Sequence, residues 1–218
     1  MGKKQSPYSA AWYSAGVVPV VNCVAAYQPK GAADIAASYV NLANPGTNNA
    51  APGTAPAHDV TNGWVFNGGT NSRYLKTGII PDSMYTIIVR FSNQAPSGTY
   101  VCGQYAGGNA GKQTIIMAKY TDNNATFYYG SGYKSTPGIV AGIMCLAGAT
   151  GYINGLPVVT EISTWNAAKT AYQIYIGCVN NAGSAQSFAV VNVQAFAIYN
   201  ITLTDPQVAT LTAAMAAL

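Results

Sequence analysis

The chain has 218 residues, half of them hydrophobic, which is ample material for a core at a length usual for one β-sandwich or barrel, and global disorder is excluded. Only 7% of residues are Asp, Glu, Lys or Arg, against roughly a quarter in an average soluble protein, so the surface is built from Asn, Gln, Ser, Thr, Gly and Tyr. The net charge of +4 comes from basic residues that never cluster beyond Lys3-Lys4, which leaves no footprint for nucleic acid.

Residues 1–16 (MGKKQSPYSAAWYSAG) show no clean period and read as an N-terminal arm ordered only by what it packs against, with Tyr8, Trp12 and Tyr13 as candidate assembly residues. The opening MGKKQS fits the myristoylation pattern, but so short a pattern arises by chance. Lys3-Lys4 ahead of an apolar stretch imitates a signal peptide, yet Pro19, Asn22 and the tyrosines interrupt that stretch, and no cleaved leader is expected. Residues 17–27 are β-branched and apolar and predict the first strand. Residues 28–62, rich in Ala, Asn, Gly, Pro and Thr, predict a long loop with one short strand around 39–42.

From Trp64 onward short apolar or alternating runs recur between turn residues, at 64–67, 74–77, 85–91, 100–105, 114–120, 126–129, 139–147, 151–153, 173–178 and 188–199. Short strands with turns about every 8–12 residues predict an all-β sandwich or barrel. Asn154-Gly155 is the strongest hairpin signal, because a type I′ turn needs two residues tolerant of positive φ, and Asp122-Asn123-Asn124 joins two strands in a similar way. Residues 135–160 carry no charge, but their glycines, Asn154 and Pro157 break any membrane span and predict a buried hairpin. Only the C-terminus reads as helical: Thr204, Asp205, Pro206 and Gln207 supply an N-cap, an early proline and a capping-box glutamine ahead of Val208, Leu211, Met215 and Leu218.

Sparse charge also limits chemistry. Glu161 is the only glutamate and His58 the only histidine, while Asp34, Asp59, Asp82, Asp122 and Asp205 lie far apart. Residues 106–113 (AGGNAGKQ) approach a phosphate-binding loop, but Gln113 stands where the Mg²⁺-holding hydroxyl belongs and a strand follows, so a hairpin turn is expected. His58-Asp59 are adjacent in a loop, which does not give triad geometry. No predicted strand carries the two acids a glycosidase holds about 5 to 9.5 Å apart. Asp122 with its asparagines is a poor calcium loop and a good turn. Neither a metal nor a cofactor is expected. Cys23, Cys102, Cys145 and Cys178 lack CxxC spacing and sit among apolar residues, which favours buried free thiols and leaves two disulfides open. Tyrosine, at 16 residues, dominates the aromatics, and Tyr128, Tyr129, Tyr133 and Trp165 lie in or beside turns. Tyr is amphipathic and loses little freedom on ordering, so these four are the candidate glycan platform, with core or subunit interface as the alternative; strand alternation sends about half of such residues inward.

The order of motifs resembles a concanavalin A-like, laminin-G-like jelly-roll domain. The resemblance is carried by 63–69 (GWVFNGG), 74–78 (YLKTG), 85–91 (YTIIVRF), 151–155 (GYING), 176–177 (IG) and 196–208 (FAIYNITLTDPQV), and it covers the chain from about Val21 to the C-terminus. It implies two stacked antiparallel sheets, with residues 17–218 as one sandwich domain. Relatives of that fold include lectins, receptor modules, glycosidases and virion proteins. The chain lacks the glycosidases' paired strand carboxylates and the acidic calcium site of many laminin-type members, which leaves binding or structure. The long loop before Trp64 and the closing helix resemble versions of the domain in phage particle proteins. The expectation is a non-enzymatic virion structural protein, a capsid decoration or tail or fibre component in several symmetric copies, partnered by itself or other virion proteins and in contact with cell-surface glycans. The rival expectation is a secreted or surface-displayed lectin-like module.

Overall fold

The computed structural model describes residues 11–68, 72–95, 99–105 and 111–218. In chain order the strands are β1 (Cys23–Tyr27), β2 (Ala51–Thr54), β3 (Ala57–Asp59), β4 (Gly63–Asn67), β5 (Tyr74–Lys76), β6 (Thr86–Ser92) and β7 (Cys102–Tyr105). They continue with β8 (Gln113–Met117), β9 (Asn124–Gly130), β10 (Gly132–Pro137), β11 (Gly142–Ala147), β12 (Thr150–Ile153) and β13 (Leu156–Val159). The last are β14 (Tyr175–Ile176), β15 (Val179–Asn181), β16 (Ser184–Gln186) and β17 (Val190–Tyr199). Two α-helices, α1 (Ile35–Ser38) and α2 (Asp205–Ala216), and a 3₁₀ turn over Val20–Asn22 complete the described elements.

The strands form a two-sheet sandwich. The first sheet runs β13-β12-β11-β6-β17-β4-β3, and the second runs β10-β9-β8-β7-β14-β5-β2, with β15 beside β7 and β16 beside β15. β17 organises the first sheet: β6 lies along one side of it, while the other side is shared by β4, opposite 190–193, and β1, opposite 196–199. Pairings are antiparallel apart from β15 on β7 and a parallel bridge between Tyr100 and Phe188.

Strand alternation explains two apolar layers. Trp64, Tyr27, Phe66, Phe91, Phe127 and Phe196 meet between the sheets, and the Trp64 Nε1 donates to the Ser38 hydroxyl at 2.7 Å, satisfying a group with no access to water. The other faces of the same strands are apolar as well. Ile88, Ile143, Cys145, Ala195, Ala197 and Tyr199 point out of the first sheet and need a cover, which Val208, Leu211 and Met215 of α2 provide. α2 starts as its sequence predicts: Gln207 Oε1 accepts from the Thr204 backbone N–H at 3.0 Å, with Pro206 in the first turn.

The first residues depart from expectation. Residues 17–27 do not form one strand, because Pro19 opens a 3₁₀ turn over Val20–Asn22 and only Cys23–Tyr27 pairs; Val21 is 81% exposed. Trp12 and Tyr13, expected on a docking arm, pack beside α2 on their own chain, and the Tyr199 hydroxyl donates to the Tyr13 carbonyl at 2.7 Å. Tyr8 lies outside the described residues. Residues 39–42 are not a strand: Asp34 caps α1 by accepting from the Ala37 N–H at 2.7 Å, and the chain leaves that helix into a turn. The Asn154-Gly155 hairpin is present, with φ of 49° and 83° at the two positions.

Candidate functional site: a tyrosine pocket on the outer face of the second sheet

No helix covers the second sheet as α2 covers the first, among the described residues. In β9, Ala125, Phe127 and Tyr129 point into the core, so Thr126 and Tyr128 point out. Register then fixes their neighbours: Tyr133 of β10 and Ile115 of β8 flank Tyr128 on the same outer face, and Gln113 of β8 lies opposite Gly130. These residues line a pocket of about 360 Å³, together with Tyr100 before β7, Tyr105 at its end, and Ser131 and Val179. That volume falls at the lower end of the roughly 300–1,000 Å³ of small-molecule sites.

Three phenol rings form a corner. Tyr128 and Tyr133 stand 5.1 Å apart between centroids and 35° apart in plane, while Tyr100 meets Tyr128 edge-on at 6.3 Å and 71°. Tyr133 is 62% exposed and presents its ring to solvent. Burial pushes the Tyr128 hydroxyl up to about 12, with the neighbouring phenols Tyr100, Tyr133 and Tyr120 adding to the effect, and burial raises Tyr100 in the same direction. Tyr100 and Tyr128 therefore stay uncharged through the physiological range. None of the lining residues carries a formal charge.

Of the four residues expected on a glycan platform, the fold brings Tyr128 and Tyr133 together and sends the others elsewhere. Tyr129 faces the core and donates to the Ser83 carbonyl at 2.8 Å. Trp165 meets Tyr129 at 5.5 Å and 42°, at the margin of the core and outside the pocket lining. Tyr100, Tyr105 and Gln113 were missed as site residues because they come from other strands. Period-2 alternation against buried Cys102 and Ile116 was the one available signal, and it turns Tyr105 and Gln113 outward but not Tyr100.

The remaining candidate chemistry is engaged in local structure. Asp59 accepts from the Thr61 and Asn62 N–H groups at 2.8 and 2.7 Å, Asp82 from the Met84 N–H at 2.7 Å, and Asp122 from the Asn124 N–H at 2.9 Å. Hydrogen bonds from Asn124 hold the Asp122 carboxyl below its ordinary value. Asp205 receives the Tyr152 hydroxyl at 2.7 Å. His58 Nε2 meets the Pro29 carbonyl at 2.9 Å, with its neighbour Asp59 turned to the 61–62 backbone. Among the described residues no group of three His, Cys, Asp or Glu side chains is placed to hold a metal ion, and all four cysteines are buried and unpaired. β7 and β8 pair antiparallel, while residues 106–110 of the expected turn between them lie outside the described residues. No helix among the described residues is long and apolar enough to cross a membrane.

Neither a protein-family model nor a curated protein matches this chain. Solved structures do match in fold. A mutant of Trypanosoma rangeli sialidase displaying trans-sialidase activity superposes with a TM-score of 0.61 at 16% identity, covering 91% of this chain and 34% of that one. The same sialidase in complex with 2,3-difluorosialic acid gives 0.62 at 16% identity over 89% of this chain and 33% of the other. Domain 4 of a GH43 extracellular arabinanase from Geobacillus stearothermophilus, in complex with arabinotriose, gives 0.56 at 15% identity, covering 88% of this chain and 98% of that domain. The chain thus spans about a third of the sialidase chains it matches and nearly all of the arabinanase domain. These likenesses show the fold alone, a two-sheet β-sandwich that this chain shares with part of the sialidase and with the arabinanase domain.

Proposed function

We propose that this protein is a non-catalytic carbohydrate-binding β-sandwich that takes sugars on the outer face of its second sheet. The observation that carries the reading is the corner of Tyr100, Tyr128 and Tyr133 beside Gln113. Such a corner offers flat apolar faces to the C–H side of a sugar and polar edges to its hydroxyls. The near-complete overlap with an arabinanase domain solved with arabinotriose supports it, as does the commitment of the aspartates to turns and caps. The test is a glycan array with the wild-type chain and Tyr133→Ala: binding that the substitution weakens supports the reading, and equal binding by both removes this face from it.

We place this module on a phage particle, as a capsid decoration or tail-fibre component in several symmetric copies, because a surface with 7% charged residues suits close packing against other subunits. Quantitative mass spectrometry of purified particles decides the setting. Recovery at a fixed ratio to the major capsid protein supports it, whereas recovery only in the secreted or cell-surface fraction reassigns the module to a free lectin.

A further inference from the structure

We infer that the tyrosine pocket selects uncharged sugars, and that the Gln113 side-chain amide is its specificity group. The inference rests on the carbohydrate reading above and goes further by naming the ligand's charge class and the residue that reads it.

Gln113 is only 6% exposed, lines the pocket, and its amide makes no hydrogen bond with the described residues. The amide is not among the buried unsatisfied groups, so it opens onto the pocket, where an occupant that covers it must supply its hydrogen-bond partners. Its register partner on β9 is Gly130, which carries no side chain. An amide offers two N–H donors and one carbonyl acceptor on a single plane. That set complements neighbouring sugar hydroxyls, each of which both donates and accepts.

Charge defines the class. A carboxylate entering this pocket would shed hydration and meet only phenols, a hydroxyl, an amide and two aliphatic side chains. With no cation among the described lining residues to pair with, that burial is unfavourable. The nearest lysine on β10, Lys134, points to the opposite face from Tyr133 and is held by the Thr160 carbonyl at 2.5 Å. A neutral ring pays no such penalty, and the Tyr128-Tyr133 pair meets its apolar face.

The test compares binding of the wild-type chain to neutral and acidic oligosaccharides, with galactotriose against trigalacturonic acid and lactose against 3′-sialyllactose as matched pairs within a broad array. Neutral members are expected to bind and their acidic counterparts to bind about tenfold or more weakly, while Gln113→Met, of similar length and shape, loses about tenfold for the neutral ligands. Preference for the acidic partners, with binding still sensitive to Tyr133→Ala, overturns the charge assignment and leaves the platform standing. Unchanged neutral-sugar affinity in a folded Gln113→Met variant overturns the role of Gln113. Should that variant fail to fold, the wild-type comparison of matched pairs still decides the charge class. Silence across the whole array overturns both this inference and the carbohydrate reading.

Discussion

Tyr128 and Tyr129 are neighbours in sequence and serve opposite faces of one strand. Tyr128 leans on Tyr133 at the pocket, whereas Tyr129 is 8% exposed, anchored to Ser83 and packed against Trp165. Their alanine variants should therefore separate binding from folding. Tyr133→Ala and Tyr128→Ala are expected to cost about tenfold in sugar affinity, a figure set by the loss of one aromatic contact. Tyr129→Ala is expected to lower unfolding free energy by about 3–5 kcal/mol while leaving affinity per folded molecule unchanged. Urea denaturation and titration calorimetry on the same preparations check both halves, and a Tyr129→Ala protein with full stability but lost binding would invert the assignment.

At the scale of elements, the described part of the N-terminal segment is held by its own domain at Tyr13. The Tyr199 hydroxyl is buried and donates to the Tyr13 carbonyl, and the Tyr13 hydroxyl donates to the Leu42 carbonyl at 3.0 Å. Deleting residues 1–16 should leave a folded sandwich destabilised by about 1–3 kcal/mol, the penalty for stranding a buried hydroxyl. An unchanged urea midpoint would show that this segment does not pack in solution. Elements that bury one or both faces were legible in sequence. The runs at 85–91 and 188–199, the Asn154-Gly155 turn and the α2 cap all follow from alternation, positive φ and capping. Exposed edges were not legible. β2 (APGT) is fully exposed and carries the proline and glycine that announce turns, while β10 (GYKSTP) lies mostly open at the sheet edge with no apolar alternation to mark it. The pocket escaped for a different reason: its walls come from β7, β8, β9, β10 and β15, and only register brings Tyr100, Gln113 and Tyr133 together.

At the scale of the whole molecule, buried acids of low acidity dominate the response to pH. Burial pushes Cys23 up to about 12, lowered a little by its hydrogen bonds, and raises Cys102, Cys145, Cys178, Tyr27 and Tyr199 as well. Their ordinary values are 9.0 for the thiols and 10.0 for the phenols. The folded state holds these protons more tightly than the unfolded chain does. The associated stability is fully present below the unfolded values and is lost as pH rises toward the folded ones. Urea midpoints taken from about pH 6 to about pH 11 should stay level to roughly pH 9 and then fall steadily. A midpoint that holds to the top of that range would mean these groups are not buried as described.

The four unpaired thiols also make the protein its own gauge of breathing. Cys23 and Cys145 lie between the first sheet and α2, whereas Cys102 lies between the two sheets. A thiol reagent can reach each only when its layer parts. If the helix lifts before the sandwich opens, modification traced by mass should reach Cys23 and Cys145 ahead of Cys102, and simultaneous labelling of all three would mean that the two apolar layers come apart as one.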